Sequence, residues 1–201
     1  MRIITGKARG CRLKTPKGEA TRPTADRIKE SLFNILGRRV EAAHVLDLFA
    51  GTGALGLEAL SRGAASALFV DERTAALIEE NAVKTRLLGH AEIVRTDVLR
   101  VLTQLGKQGR SFDLIFCDPP YRRGLWEKAL SSVDREGLLA PDGCMIVEHG
   151  AGEETLPALE NIDMPVRHRV EASRAYSLDH QDSPPRSSAA TPKKRSRVVF
   201  P

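Results

Sequence analysis

The sequence predicts an α/β protein with a doubly wound, mostly parallel sheet and a small β-hairpin and helix in front of it. Three observations predict this. From residue 44 to residue 148, short apolar runs alternate with stretches of helical periodicity. The runs are apolar almost throughout, as strands covered on both faces must be. The first of them, Val45-Leu46-Asp47-Leu48-Phe49-Ala50, breaks on Gly51-Thr52-Gly53 and continues into a helix. A strand, a glycine turn and a helix N-terminus in that order let the backbone approach a ligand closely.

The elements follow in order. Residues 2–15 alternate loosely around Gly6 and Gly10, with Ile3, Ile4, Cys11 and Leu13 apolar, and read as a β-hairpin with Arg9, Arg12 and Lys14 on its open face. Pro16-Lys17-Gly18 turns the chain. Arg22-Pro23-Thr24 opens a helix with Thr24 as N-cap and Asp26 in the first turn. Ile28, Leu32, Phe33, Ile35 and Leu36 form its apolar stripe, and Gly37 ends it. Strand and helix pairs are then expected at 44–49 and 54–61, 67–70 and 73–86, 91–95 and 98–105, and 112–117 and 124–133. Trp126 should pack the last of these helices on the sheet. A further strand, 143–148, follows the turn Pro141-Asp142-Gly143, and Met164 to Val170 could add another. From Ser173 onward Ser, Pro, Ala, Lys and Arg follow no period, so the tail is expected to be disordered, with only Val198-Val199-Phe200 able to pack.

At 201 residues, 41% hydrophobic and 28% charged, the chain suits one domain with a full core. It has no apolar run long enough to span a membrane and no signal-peptide core at Met1-Arg2-Ile3-Ile4, so a cytoplasmic protein without a membrane partner is expected. Cys11, Cys117 and Cys144 are far apart without a C-x-x-C pair, and the five histidines form no ligand-spaced cluster, so no metal is expected. Cys117 and Cys144 read as buried apolar residues. The net charge of +5 hides an asymmetry: residues 1–39 carry 11 Lys and Arg against 3 Asp and Glu, and 173–201 carry 6 against 2. The segment between, 40–172, carries 14 against 21. This division suggests an acidic catalytic domain at 40–172, a basic polyanion-binding extension at 1–39 and a basic tail at 173–201. Lys193-Lys194-Arg195 in that tail reads first as a solvated run.

The glycine turn satisfies G-x-G-x-x-G through Gly51, Gly53 and Gly56, and Asp71 ends the second strand 20 residues after Gly51. An acid there holds ribose hydroxyls, so the pair suits an adenosine ligand, whether a nicotinamide dinucleotide or S-adenosylmethionine. Asp118-Pro119-Pro120-Tyr121 separates the two, following the apolar strand Phe112–Cys117 at a carboxyl end of the sheet. An exocyclic amine on a base is a poor nucleophile because its lone pair is delocalised into the ring. A carboxylate and a backbone carbonyl that each accept one N–H leave that lone pair free to meet a methyl donor. The prolines stiffen the turn and remove competing N–H donors, and Tyr121 offers a ring on which an extruded base can stack. Hydride chemistry has no use for such a tetrapeptide. Glu148-His149 after the fifth strand could stand near the same pocket or could be only a polar strand end.

Leu46-Asp47-Leu48-Phe49-Ala50-Gly51-Thr52-Gly53 combined with Asp-Pro-Pro-Tyr resembles the S-adenosylmethionine-dependent amino-methyltransferases, a Rossmann-like class. The leader Arg22-Pro23-Thr24-Ala25-Asp26-Arg27-Ile28-Lys29-Glu30-Ser31-Leu32-Phe33-Asn34-Ile35-Leu36 is similar to that of the bacterial RsmD family. That resemblance, over residues 1 to about 150, implies methylation of N2 of one guanine in 16S rRNA of the small ribosomal subunit. It also implies that Asp47, Phe49, Gly51 and Gly53 line the methionyl end of the cofactor, that Asp71 holds the ribose and that Asp97 meets the adenine amine. The Asp97 carboxylate also suits the N-cap of the helix that follows. Asp118, Pro119, Pro120 and Tyr121 would receive the guanine, and Arg22 and Thr24 would lie near the mouth of the site. Arg9, Arg12 and Lys14 would contact RNA, and the enzyme would act as a monomer. A DNA adenine-N6 methyltransferase uses a similar tetrapeptide, but no separate target-recognition domain is visible. A non-enzymatic assembly factor on the same fold is the other alternative. Residues 171–201 depart from the family by lacking a closing hairpin with a Gly-Asp-Thr-type segment. Either the final antiparallel strand is missing or Val198–Phe200 replaces it.

Overall fold

The computed structural model describes residues 1–16, 23–120, 124–148, 158–162 and 197–199, with 23–25 and 197–199 described by backbone alone. Among the described residues six strands form one sheet: β1 (His44–Leu48), β2 (Ser66–Val70), β3 (Ala91–Val94), β4 (Phe112–Cys117), β5 (Leu139–Val147) and β6 (Arg197–Val199). Their order is β3-β2-β1-β4-β5-β6, and every pairing is parallel. The order reverses between β1 and β4, which opens a crevice at their carboxyl ends. Among the described residues five α-helices cover the sheet: α1 (Pro23–Leu36), α2 (Ala54–Ser61), α3 (Ala75–Lys84), α4 (Val98–Lys107) and α5 (Leu125–Arg135).

Strand alternation sends side chains into two cores. Val45, Phe69, Leu114, Phe116 and Ile146 pack beneath α1, α2 and α3, where Leu32, Phe33, Leu57 and Ile78 meet them. Leu46, Leu48, Ile115, Cys117 and Val147 face the other way, against Val101 and Leu102 of α4 and Trp126 and Leu130 of α5. Trp126 therefore packs α5 on the sheet as expected, and Cys117 and Cys144 are buried free thiols. Among the described residues no helix is long and apolar enough to cross a membrane.

The N-terminal hairpin is present as a single antiparallel bridge, Arg2 opposite Arg12: Ile3 N–H donates to the Cys11 carbonyl at 2.9 Å and Leu13 N–H to the Met1 carbonyl at 3.0 Å. The structure corrects several boundaries. Pro23 is the first residue of α1, where its missing N–H costs nothing, so Thr24 lies inside the helix and is not its cap. Ile35 is 41% exposed, while Lys29 is 4% exposed and takes its place on the inward face. Positions 29, 32, 33 and 36 share a narrower stripe than the one expected. Pro141-Asp142-Gly143 does not precede β5 but interrupts it: β4 and β5 pair at Phe112–Leu139 and resume at Leu114–Cys144, and Asp142 has φ +66°. In the tail, Arg197–Val199 adds to the edge of β5, in line with the expectation that Val198–Phe200 could pack, but parallel where the family pattern suggested an antiparallel strand. The possible strand 164–170 lies outside the described residues, as does the rest of the tail.

Candidate active site

The glycine turn is tied down by its neighbours. Gly51 has φ +55° and Gly53 φ +76°, left-handed values that favour glycine. A Cβ at Gly51 would meet only the Phe49 carbonyl, at 3.9 Å, so this backbone faces open space. A Cβ at Gly56 would lie 2.3 Å from the Phe69 ring, so the third glycine is there for close helix–sheet contact. Phe49 itself has φ +59°, a strained value for a bulky side chain, at the point where β1 enters the turn. Asp71 accepts the Gly51 N–H at 3.0 Å, and its other oxygen accepts those of Arg73 and Thr74 at 2.8 Å each. Burial raises its pKa, but these amides outweigh burial and hold the carboxyl below the ordinary carboxylate value.

A cavity of about 340 Å³ opens beside this turn. Asp47, Phe49, Gly51 and Thr52 line one side, Asp118 and Glu148 the other, and Ile28, Lys29 and Leu32 of α1 close over them. Asp47 is 3% exposed and accepts the Gly56 N–H at 2.8 Å. Burial first, then the charges of Asp118 and Asp71, push its pKa up to about 8 against the pull of the Gly56 amide. The Asp118 carboxyl stands over the cavity, where desolvation and then the Glu148 carboxylate push its pKa up to about 7. Solvent reaches the Asp118 residue on its open side and screens part of that push without changing its direction.

The N-terminal hairpin forms part of the wall, held by one buried acid. Glu58 of α2 accepts the N–H groups of Ile4 and Thr5 at 2.7 and 3.0 Å. It also pairs with Arg62 at 2.8 Å and with Lys29 at 3.3 Å, whose ammonium donates to the Arg2 carbonyl at 2.6 Å. Burial lowers the Lys29 pKa while Glu58 works against it. Asn81 of α3 bridges the outgoing hairpin strand to the glycine turn: it accepts the Lys14 N–H at 2.7 Å and donates to the Thr52 carbonyl at 2.9 Å. Met1 thereby reaches the cavity.

Of the residues singled out from sequence, the cavity gathers Asp47, Phe49, Gly51 and Asp118. Gly53 is the N-cap of α2, and Asp71 touches the cavity wall through Gly51. Asp97 stands apart as the N-cap of α4, accepting the Arg100 N–H at 2.9 Å. Pro119 is buried and Pro120 exposed, and neither lines the cavity. Tyr121 and Arg22 lie outside the described residues, as does the side chain of Thr24. Arg9 lines a separate groove of about 480 Å³ with Arg2 and Arg27 between the hairpin and α1. Arg12 is exposed, and Lys14 is paired with Glu80 at 2.6 Å. Among the described residues no group of acidic, His and Cys side chains could hold a metal ion. Sequence reasoning missed Lys29 and left Glu148 undecided. A lysine three residues before a buried Leu32 was the available signal for the first, and parallel register after Asp118 for the second.

A family model described as "Conserved hypothetical protein 95" matches residues 1–178. Ribosomal RNA small subunit methyltransferase D of Escherichia coli strain K12 is 37% identical over 194 residues, 94% of each chain. A Bacillus subtilis protein described as a candidate rRNA methyltransferase, YlbH, is 40% identical over 151 residues, 74% of this chain and 82% of its own. The solved structure of a candidate methyltransferase, yhhF of Escherichia coli, superposes with a TM-score of 0.69 at 39% identity, covering 79% of this chain and 86% of that one. By the model that spans most of its length and by relatives this similar, the chain belongs to the RsmD family of ribosomal RNA small subunit methyltransferases.

Proposed function

We propose that the protein transfers a methyl group from S-adenosylmethionine to the exocyclic N2 amine of one guanine in 16S rRNA, with the small ribosomal subunit as its partner. The observation that carries this reading is the meeting, in one cavity, of the glycine turn after β1 with the carboxylate that opens Asp-Pro-Pro-Tyr after β4. The cavity suits that cofactor. A bound sulfonium and ammonium would lower the raised pKa values of Asp47 and Asp118 and be held by their carboxylates, the apolar walls suit the thioether carbons, and Gly51 leaves room for close backbone approach. Asp47, Phe49, Gly51 and Gly53 would hold its methionyl end, Asp71 its ribose and Asp97 its adenine.

Bound there, S-adenosylmethionine supplies an electrophilic methyl group. The chain's own part is positioning. The Asp118 carboxylate and the Pro119 carbonyl accept the two N–H groups of the amine, which aims its lone pair and stabilises the positive charge that develops on nitrogen. Pro119 and Pro120 present no N–H that could compete, and Tyr121 would stack on the extruded base. Arg9, Arg12, Lys14, Arg22 and Thr24 are proposed as RNA contacts, in keeping with the excess of basic residues in 1–39. We read the protein as a monomer.

The test supplies tritiated S-adenosylmethionine and small subunits from cells lacking the enzyme, followed by nucleoside analysis. Label in N2-methylguanosine at a single rRNA site is expected. Label in N6-methyladenine of duplex DNA would replace this reading with DNA methylation. Asp118→Ala should leave cofactor binding intact and lower turnover by about 10²- to 10³-fold, the usual loss when one group stabilising transition-state charge is removed. Strong residual activity would remove Asp118 from its assigned role.

A further inference from the structure

Parallel register places a second carboxylate beside Asp118. Cys117 pairs with Val147 across β4 and β5, and the Glu148 N–H donates to the Cys117 carbonyl at 2.9 Å. Asp118 and Glu148 are the next residues on adjacent strands, and both line the cavity. Phe116 and Ile146, two residues earlier, pack on the α1–α3 side, so alternation sends the two acids to that side together.

The Glu148 carboxyl thus lines the cavity next to the group proposed to hold the amine. The exocyclic amines of guanine and adenine differ chiefly in their neighbour. Guanine carries N1–H beside its N2 amine, two donors in a row, whereas adenine carries a bare N1 lone pair beside its N6 amine. A carboxylate next to the amine-holding group accepts from the first base and repels the second. We propose that Glu148 is a specificity residue that accepts the N1–H of the target guanine while Asp118 accepts from its N2 amine. This rests on the guanine-N2 reading above and names the part of the site that enforces it. The Asp118 side of the site is common to amine methylation on either base; the Glu148 side separates them.

The test uses small subunits reconstituted on rRNA that carries either guanine or 2-aminopurine at the methylated position. The analogue keeps the C2 amine but has a lone pair at N1. The wild-type protein should favour guanine in kcat/KM by about 10²-fold or more, because a site built around a donor rejects a base without it. Glu148→Gln supplies an amide that can donate to N1, and should narrow that preference to within about tenfold while cofactor binding is unchanged. Glu148→Asp should retain the preference. If Glu148→Gln slows both substrates equally and the ratio stands, Glu148 does not read N1 and the proposal fails. Equal use of the two bases by the wild-type protein also overturns it, independently of any variant's folding. Absence of N2-methylguanosine from the wild-type reaction on natural subunits would be the separate failure of the guanine-N2 reading.

Discussion

On the β1–β2 side of the cavity Asp71 gives both carboxylate oxygens to backbone amides, whereas on the β4–β5 side Asp118 faces another carboxylate, Glu148. Amides hold the first acid ionised and fixed, and the lowered pKa of Asp71 reports it. Burial and like charge hold the second close to neutrality, so its proton is exchangeable near physiological pH. The contrast separates two tasks. A side that holds a cofactor of constant shape profits from rigid, satisfied acids. In the proposed reading, the side that would accept an incoming base presents two carboxyl groups to the cavity. Glu58 extends the first pattern behind the glycine turn, with two amides and two cations on one buried acid.

The largest effect should come from breaking that extension. Glu58→Ala leaves the Lys29 ammonium buried without its counterion and frees the Ile4 and Thr5 amides, so a loss of about 3–5 kcal/mol is expected. Denaturant unfolding would measure it. Asp118→Ala should cost about 0.5 kcal/mol or less in the same experiment, as a surface substitution that removes a self-repelling charge. Equal losses from the two variants would erase the distinction between the sides.

Gly56→Ala sharpens the comparison at shorter range. Its Cβ would sit 2.3 Å from Cε1 of Phe69 and 3.0 Å from Asp47 Oδ2, with no flexible chain end to give way. Overpacking of this kind costs about 1–3 kcal/mol, and the displaced Asp47 should also weaken cofactor binding. A thermal melt and a cofactor titration on the same sample separate the two. Full stability with full affinity would show that α2 can slide along β1 and that the first side is less rigid than its hydrogen bonds imply.

Legibility in the sequence follows the same division. The glycine turn, Asp47, Asp71 and the strands around them were readable because local rules fix them: apolar runs, glycines where φ is positive, an acid at a strand end. The sharp β4–Asp118 junction was readable for the same reason. What escaped depends on contacts distant in sequence. Lys29 looks like a surface lysine until α1 is set over Glu58, 29 residues further on. The interruption of β5 at Asp142 is invisible without its pairing to β4, since Pro-Asp-Gly reads equally well as the end of a connection. Val198-Val199-Phe200 was legible as a stretch able to pack, but the parallel pairing of Arg197–Val199 on the open edge of β5 was not. The left-handed backbone of Phe49 is likewise imposed by the turn, because phenylalanine by itself disfavours it.

The prediction that tests the electrostatic side of the contrast directly is the pH dependence of stability. Asp47 has an ordinary carboxyl value of 3.8 and a folded value of about 8. Between those limits the folded protein holds a proton that the unfolded chain has released, so stability falls as pH rises through the window. Asp71, with its folded value lowered, works in the opposite direction: its contribution is present above the unfolded value and is lost as pH falls through the folded one. Asp118, raised to about 7, adds to the slope of Asp47 in the same sense but more weakly, because solvent screens it. The urea midpoint of the wild-type protein should therefore decline from about pH 5 to pH 8. Asp47→Asn keeps an oxygen for the Gly56 amide and cannot ionise, so it should flatten most of that decline and leave the acid limb in place. Asp118→Asn should flatten a smaller part. If Asp47→Asn kept the wild-type slope, the Asp47 carboxyl would have to be ionised across the whole range, compensated by charge that reaches it through the cavity, and the β1 side would then hold two charged acids, Asp47 and Asp71, against the titrating acid of the β4 side.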